Sequence, residues 1–330
     1  MSDNHRDESG APMEKPPVSE SWTSCDTFAG WEPNALEGAL AAAGLPLDGW
    51  EFGRTGGHRT SFRSVDQGLF VKISAPSGVD DLVYESQIAA WLTDTDLPII
   101  GLARDVPERV VEGDWGAATF WPLVEAVPYN DVDMRWMGRA LAAFHHHEPA
   151  PGLRPWAPEH WSQHDIQVIR GLDGVAPETC DVLQAEADRI LGRAREQTDA
   201  ARLVFLHGDA HAGNVVRSAK GAQLFCDFEL AQFGPAEWDL SLVPVRVRRL
   251  GMSKDRLDEL LEGYGPYDAE MLDAMIELRE LRMAGGTRYA QRPNFLSQVA
   301  LRASTLGDGG HADWTANFVS VAWDGSAPAT

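Results

Sequence analysis

The sequence predicts an α+β fold of two lobes, a small sheet-bearing one followed by a larger, mainly helical one, and three observations predict it. Up to about residue 124 the apolar residues fall in short runs, Trp50 to Phe52, Phe70-Val71-Lys72-Ile73 and Ala117 to Val124, of strand length rather than helix length. Beyond that point they recur at three- and four-residue intervals over 134–147, 178–198, 253–263, 268–285 and 292–306, the period of helices with one buried face. Within this helical part lies a polar segment, His207-Gly208-Asp209-Ala210-His211-Ala212-Gly213-Asn214. Val204-Phe205-Leu206 precedes it, Val215-Val216 follows it, and Leu224-Phe225 leads to Asp227. Loop chemistry between short buried strands is a natural place for catalysis.

The elements follow in order. Residues 1–25 carry Ser, Pro, Glu and Asp with few large apolar side chains, so they cannot bury enough surface to offset chain ordering and read as a disordered acidic tail. The first lobe spans 26–124. It begins with a helix over Pro33 to Leu45, with Leu36, Leu40 and Ala43 on one face and Gly44 as its stop. Trp50 to Phe52 opens the sheet, and residues 83–92 form a helix with Val83, Ile88, Trp91 and Leu92 on one stripe. Pro122 ends the apolar strand that contains it, because proline cannot donate to a central ladder, and marks a hinge. The second lobe is 125–330. No internal repeat or heptad run is present.

Composition sets bounds. With 330 residues, 44% of them hydrophobic, the chain is long enough for two cores. Fifty acidic residues against 28 basic ones give a formal charge of −22, which repels nucleic acid and anionic membranes and suits a cationic small molecule. A merely solubilising acidic surface is the other reading, so charge alone names no ligand. Cys25, Cys180 and Cys226 form neither a disulfide framework nor a paired Cys-x-x-Cys metal site. With no signal-peptide pattern and no apolar run long enough to cross a bilayer, a cytoplasmic setting is expected.

The polar segment carries the chemistry. Asp209 and Asn214 stand five residues apart, the interval at which a kinase catalytic loop places the residue that receives the acceptor proton and an amide that ligates Mg²⁺. Asp227 takes the place of the second metal-binding carboxylate. Mg²⁺ prefers hard oxygen ligands and keeps several waters, so one carboxylate, one amide oxygen and substrate phosphates complete its shell. Here the chain resembles the aminoglycoside phosphotransferase-like and choline kinase-type small-molecule kinases, which share the protein-kinase fold. Lys72 in Phe70-Val71-Lys72-Ile73 matches the residue with which that family holds the α and β phosphates, and Glu85 in Tyr84-Glu85-Ser86-Gln87 matches its ion-pair partner. Leu141-Ala142-Ala143-Phe144-His145 resembles the helix end before the catalytic part, and Glu237-Trp238-Asp239-Leu240 the segment after the metal-binding Asp. The resemblance spans roughly residues 50 to 320.

It implies a protein-kinase-like bilobal fold, Mg²⁺, ATP or GTP as donor, and Asp209 as the catalytic residue with Asn214 and Asp227 as metal ligands. It also implies nucleotide contacts from Lys72 and Glu85, from Thr60 and Ser61 in the Gly53 to Phe62 stretch, and from Trp121 and Leu123 at the hinge. Read alone, Gly53 to Phe62 is a plain hairpin turn as readily as a phosphate cover, since its glycines do not repeat as Gly-x-Gly-x-x-Gly. Lys72 alone is a snorkelling surface residue and Glu85 a favourable charge early in a helix.

The expected acceptor is a hydroxyl of a small, polar, cationic molecule, an aminoglycoside-type antibiotic or an amino sugar, with choline, homoserine or a sugar as alternatives. Resistance and metabolism are not separable from sequence. Glu229, Glu262, Asp268, Glu277 and Glu280 are the acidic candidates for pairing with its amines. Asp227-Phe228-Glu229 in place of Asp-Phe-Gly argues against a protein substrate, and retention of the five site residues argues against a catalytically silent nucleotide-binding regulator. Neighbouring residues on a helix point in different directions, so His145-His146-His147 reads as a helix end rather than a metal cluster. By resemblance His207 braces the loop.

Overall fold

In the computed structural model, which describes residues 35–56, 59–107, 110–198, 202–286, 295–309 and 312–314, the short apolar runs of the first part become strands. The tail expected over 1–25 lies outside the described residues. Two compact units are present, residues up to Ser86 with Leu102–Leu123, and Gln87–Gly101 with residues from Val124 onward.

The first unit is one antiparallel sheet with a helix on its core face. Strands β1 (Glu51–Gly56), β2 (Arg59–Ser64), β3 (Leu69–Ser74), β4 (Val111–Gly113) and β5 (Gly116–Pro122) are ordered β1-β2-β3-β5-β4. Alternation decides the faces: Leu69, Val71 and Ile73 of β3 are buried against Phe62, Phe120 and the helix α1 (Ala35–Ala43), which contributes Leu36 and Leu40. Each such side chain contributes roughly 1.5–3 kcal/mol by leaving water. Gly44, at φ +69°, ends α1 where the sequence places the stop. Opposite residues of an antiparallel pair share a face, so Ser61, Lys72 and Thr119 form one row across β2, β3 and β5 on the side away from that core. Helix α2 (Val79–Leu92) is four residues longer at its start than the periodicity predicts, and its buried stripe includes Leu82, Ile88, Ala89 and Leu92, with Val83 and Trp91 only half-buried.

In the second unit the end of α2 and the following segment attach to the strands on either side of residues 207–214: Trp91 stands edge-on to Phe205, and Ile100 donates its N–H to the Phe225 carbonyl. The helices are α3 (Met134–His146), α4 (Pro158–Arg170), α5 (Pro177–Thr198), α6 (Glu237–Leu240), α7 (Leu242–Arg249), α8 (Lys254–Tyr264), α9 (Ala269–Gly285) and α10 (Phe295–Thr305). Two small sheets are interleaved with them, β10-β9-β6 and β7-β11-β8, from β6 (Glu125–Ala126), β7 (Arg154–Pro155), β8 (Leu203–Leu206), β9 (Val215–Arg217), β10 (Gln223–Phe225) and β11 (Gln232–Pro235). The core gathers Leu183 and Ile190 of α5, Met271, Met275 and Leu278 of α9, and Trp238.

Helices α4, α6 and α7 were not expected. The α4 sequence is mostly polar, with Ile166 and Ile169 its buried aliphatics. Pro244 argues against a helix in α7 but occupies the first turn, where its missing N–H has no intrahelical partner to lose. Helices α3 and α8 cross with glycine at the contact. A Cβ on Gly138 would stand 2.2 Å from the Leu260 carbonyl oxygen, and one on Gly263 2.2 Å from that of Arg135.

Candidate active site

Strand β8 delivers the chain to residues 207–214, and two residues of α6 fasten the loop. Asp239, wholly buried, accepts the His207 N–H on Oδ2 at 2.7 Å and the Gly208 N–H on Oδ1 at 2.8 Å. Trp238 donates its indole N–H to the Gly208 carbonyl at 2.9 Å. Gly208 adopts φ +86°, and a Cβ there would fall 1.7 Å from the Leu230 carbonyl oxygen, so glycine is required. Burial drives the Asp239 carboxyl upward, but the hydrogen bond and charge of His145 with those of His207 outweigh it and hold Asp239 below the usual range.

A polar chain supports this clamp. His145 Nε2 lies 3.2 Å from Asp239 Oδ2, and its Nδ1 lies 2.8 Å from the Tyr264 hydroxyl. Burial, with the charges of Glu237 and Asp239, pushes the Tyr264 phenol up, so it stays protonated beside Nδ1. His207 is equally buried. Its Nε2 lies 3.1 Å from the Cys226 carbonyl, and its Nδ1 accepts the Asp209 N–H at 3.4 Å, which ties the two segments of the motif together. Burial lowers its pKa against the attraction of Asp239, Asp209 and Asp227.

Asn214 ends a single 3₁₀ turn, Ala212–Asn214, and is buried. Its Nδ2 donates to the Asp209 carbonyl at 2.9 Å, so Oδ1 is its accepting end, and its own carbonyl accepts the Cys226 N–H at 3.0 Å. The next residue, Asp227, takes φ +70°, the only non-glycine in the left-handed region among the described residues. Strain of this kind costs on the order of 1–3 kcal/mol and persists where surrounding structure imposes it. The donor set of an amide oxygen and carboxylates, hard and partly neutral, fits a Mg²⁺ ion that completes its shell with phosphates and water. The His145 to His147 run closes α3, with His147 as its C-cap.

The Asp209 carboxylate, about one-fifth exposed, has Arg279 Nη1 3.8 Å from Oδ1 and His211 Nε2 3.6 Å from Oδ2.

In the first unit, Lys72 Nζ pairs with Glu85 Oε1 at 2.6 Å, and Arg59 reaches the other oxygen at 3.4 Å. Glu85 is completely buried, so the two cations answer a charge that would otherwise be costly to enclose. Lys72 also stands 5.3 Å from the Trp121 ring centre, and Trp121 donates its indole N–H to Thr119 Oγ1 at 3.0 Å. Ser61 lies in the Lys72 row. Thr60 pairs with Ile73 on the opposite, α1-facing side, so a nucleotide on the Lys72 face is beyond its side chain. The Leu123 N–H donates to the Gly68 carbonyl at 2.7 Å and is already used.

The sequence profile of the phosphotransferase enzyme family (APH) matches residues 51–278. The chain belongs to that family. It is a small-molecule kinase with a protein-kinase-like fold. Solved structures agree on the fold. Aminoglycoside phosphotransferase APH(3'')-Id from Streptomyces rimosus superposes with a TM-score of 0.59 at 21% identity, over 76% of this chain and 98% of that one. Choline kinase LicA from Streptococcus pneumoniae gives 0.62 at 13%, over 80% and 95%. Spectinomycin phosphotransferase APH(9)-Ia, in complex with ADP and spectinomycin, gives 0.56 at 13%, over 84% and 94%. No curated protein sequence matches the chain.

In this phosphotransferase most of the expected acceptor carboxylates are engaged elsewhere. Glu262 pairs with Arg135, Glu277 with Arg189 and Arg193, and Glu280 with the buried Arg249, while Asp268 caps α9 through the Glu270 and Met271 amides. Glu229 follows Asp227 and Phe228, and its carbonyl accepts from Arg154 at 3.4 Å. Sequence reasoning missed the arginine beside Asp209, the second cation on Glu85, and the part His145 plays. The sequence signal was slight: Asp239 in Trp-Asp-Leu and the polar Arg279-Glu280 pair within an apolar helix.

Proposed function

We propose that the chain transfers the γ-phosphoryl group of ATP or GTP to a hydroxyl of a small polar molecule. The observation that carries this reading is the fastening of the 207–214 loop, in which the Asn214 amide bonds back to the Asp209 carbonyl and leaves its oxygen for a metal. Asp209 orients the acceptor hydroxyl and takes its proton as the new O–P bond forms and the bond to the β-γ bridging oxygen breaks. Asn214 Oδ1 and Asp227 would hold Mg²⁺, which when bound neutralises phosphate charge. Lys72, oriented by Glu85, would hold the α and β phosphates, and Trp121 would line the base. The neighbours in fold include structures described with ADP, AMP or GDP bound, in keeping with a nucleotide donor.

Aminoglycoside-type antibiotics and amino sugars head the acceptor class, because the neighbours include enzymes of aminoglycosides and choline and the chain carries a surplus of acid. Paired carboxylates keep uncharged acceptors, including sugars, in the same test. A cytoplasmic setting belongs to the proposal.

The test is transfer of label from γ-labelled ATP and GTP to a panel of aminoglycosides, amino sugars, amino alcohols, homoserine and sugars. Asp209→Asn should lower turnover by about 10²–10⁴-fold while Mg²⁺-nucleotide binding persists. Asp227→Ala should lose metal-dependent nucleotide binding as well. Undiminished turnover in folded Asp209→Asn protein would overturn the assignment.

A further inference from the structure

Helix α9 is enclosed on nearly every side, and Arg279 within it is only 3% exposed. A buried guanidinium is costly unless its donors find partners. Here they turn to the catalytic loop and the helix that fastens it. Nη2 donates to the Trp238 carbonyl at 3.1 Å and, at 3.5 Å, to the same Gly208 carbonyl that receives the Trp238 indole N–H. Nε donates to Ser241 Oγ at 3.2 Å, and Nη1 stands 3.8 Å from Asp209 Oδ1. The guanidinium carbon lies 3.5 Å from the centre of the Trp238 ring, so the cation is stacked as well as bonded.

Each contact restrains a different degree of freedom. The Gly208 carbonyl bond fixes the peptide that leads into Asp209, the Trp238 stack fixes the guanidinium plane, and Nη1 draws the carboxylate to one side. A lysine could supply the charge but not the planar fork. We infer that Arg279 is a positioning residue for phosphoryl transfer: it sets the direction in which Asp209 presents its carboxylate to the acceptor hydroxyl. The inference rests on Asp209 having the role proposed above. Arg279 lies beneath Trp238 and acts through the loop, not on the substrate.

The experiment uses the full chain and Mg²⁺-ATP hydrolysis, with water as the acceptor. Wild type is compared with Arg279→Gln, Arg279→Lys, Asp209→Asn and the Arg279→Gln, Asp209→Asn double variant. Arg279→Gln should lower kcat by about 100-fold, the scale set by misplacing a reacting group by about 1 Å, with KM and the calorimetric affinity for Mg²⁺-ATP unchanged. Arg279→Lys should recover part of the loss. In the Asp209→Asn background Arg279→Gln should cost nothing further, because a residue that acts only through Asp209 has no separate effect to remove. Unchanged kcat in Arg279→Gln, or a full additional loss on top of Asp209→Asn, overturns the inference. If Arg279→Gln fails to fold, Arg279→Lys alone and combined with Asp209→Asn carries the same comparison. Equal hydrolysis by wild type and Asp209→Asn would instead sink the reading of Asp209, whatever Arg279 does.

Discussion

Gly208 and Asp227 show how the site uses the backbone. Both sit at positive φ, one where only glycine fits and one where an acid is held despite the strain. Gly208→Ala would set a methyl 1.7 Å from the Leu230 carbonyl oxygen, and neither atom belongs to a flexible side chain that could swing away. A loss of about 3 kcal/mol is expected, read from the urea midpoint. His207 gives a second test. Its folded pKa is lowered by burial, so the folded state takes up its proton only below the unfolded value of about 6.5. Its contribution to stability is complete above that pH and is lost as pH falls from there toward the folded pKa. His207→Gln should flatten the fall in stability just below pH 6.5, and an unchanged slope in urea titrations would count against it. Asp209, Asn214 and Asp227 stand out in the sequence as candidates because the chemistry proposed for them dictates short spacings. His145, Asp239 and Arg279 were not, because the groups they serve lie 94, 32 and 71 residues away.

At the scale of elements, strands and long periodic helices were readable because one buried face leaves a period in the sequence. The α3–α8 crossing was not, because a glycine that admits another backbone looks like any other glycine in a helix. On propensity alone Gly138→Ala should stabilise α3 by about 1 kcal/mol. Packing reverses the sign, since the added methyl meets the Leu260 carbonyl oxygen at 2.2 Å and the Tyr264 amide nitrogen at 2.6 Å. The helices would have to part, which overpacking data place at about 1–3 kcal/mol. The variant should therefore be destabilised, and because His145 lies seven residues further on the same face, its bond to Tyr264 should loosen too. Gly192→Ala on α5 is the control: nothing lies within 4 Å of the added methyl, so stability should rise by up to about 1 kcal/mol. Calorimetric melting of the two variants should move in opposite directions.

Across the whole chain the surplus of acid acts at longer range than any contact. A formal charge of −22 surrounds a protein proposed to admit a nucleoside triphosphate, itself an anion. Lys72 and the metal ligands act over a few ångströms, so they decide how tightly the nucleotide is held once it arrives. Approach from solution is governed by the summed field, which repels it. Screening shortens that field to about 10 Å at 0.1 M salt, so raising ionic strength from about 0.02 to 0.2 M should speed nucleotide association. The dissociation rate should rise as well, because the close contacts to phosphate are themselves electrostatic. The two effects oppose one another in the equilibrium constant, which makes affinity alone a poor probe. Stopped-flow association of a fluorescent ATP analogue with Mg²⁺ present separates them. An association rate that falls with added salt would mean that a local positive field at the entrance overrides the net charge, and the acid surplus would then have no bearing on which ligands approach.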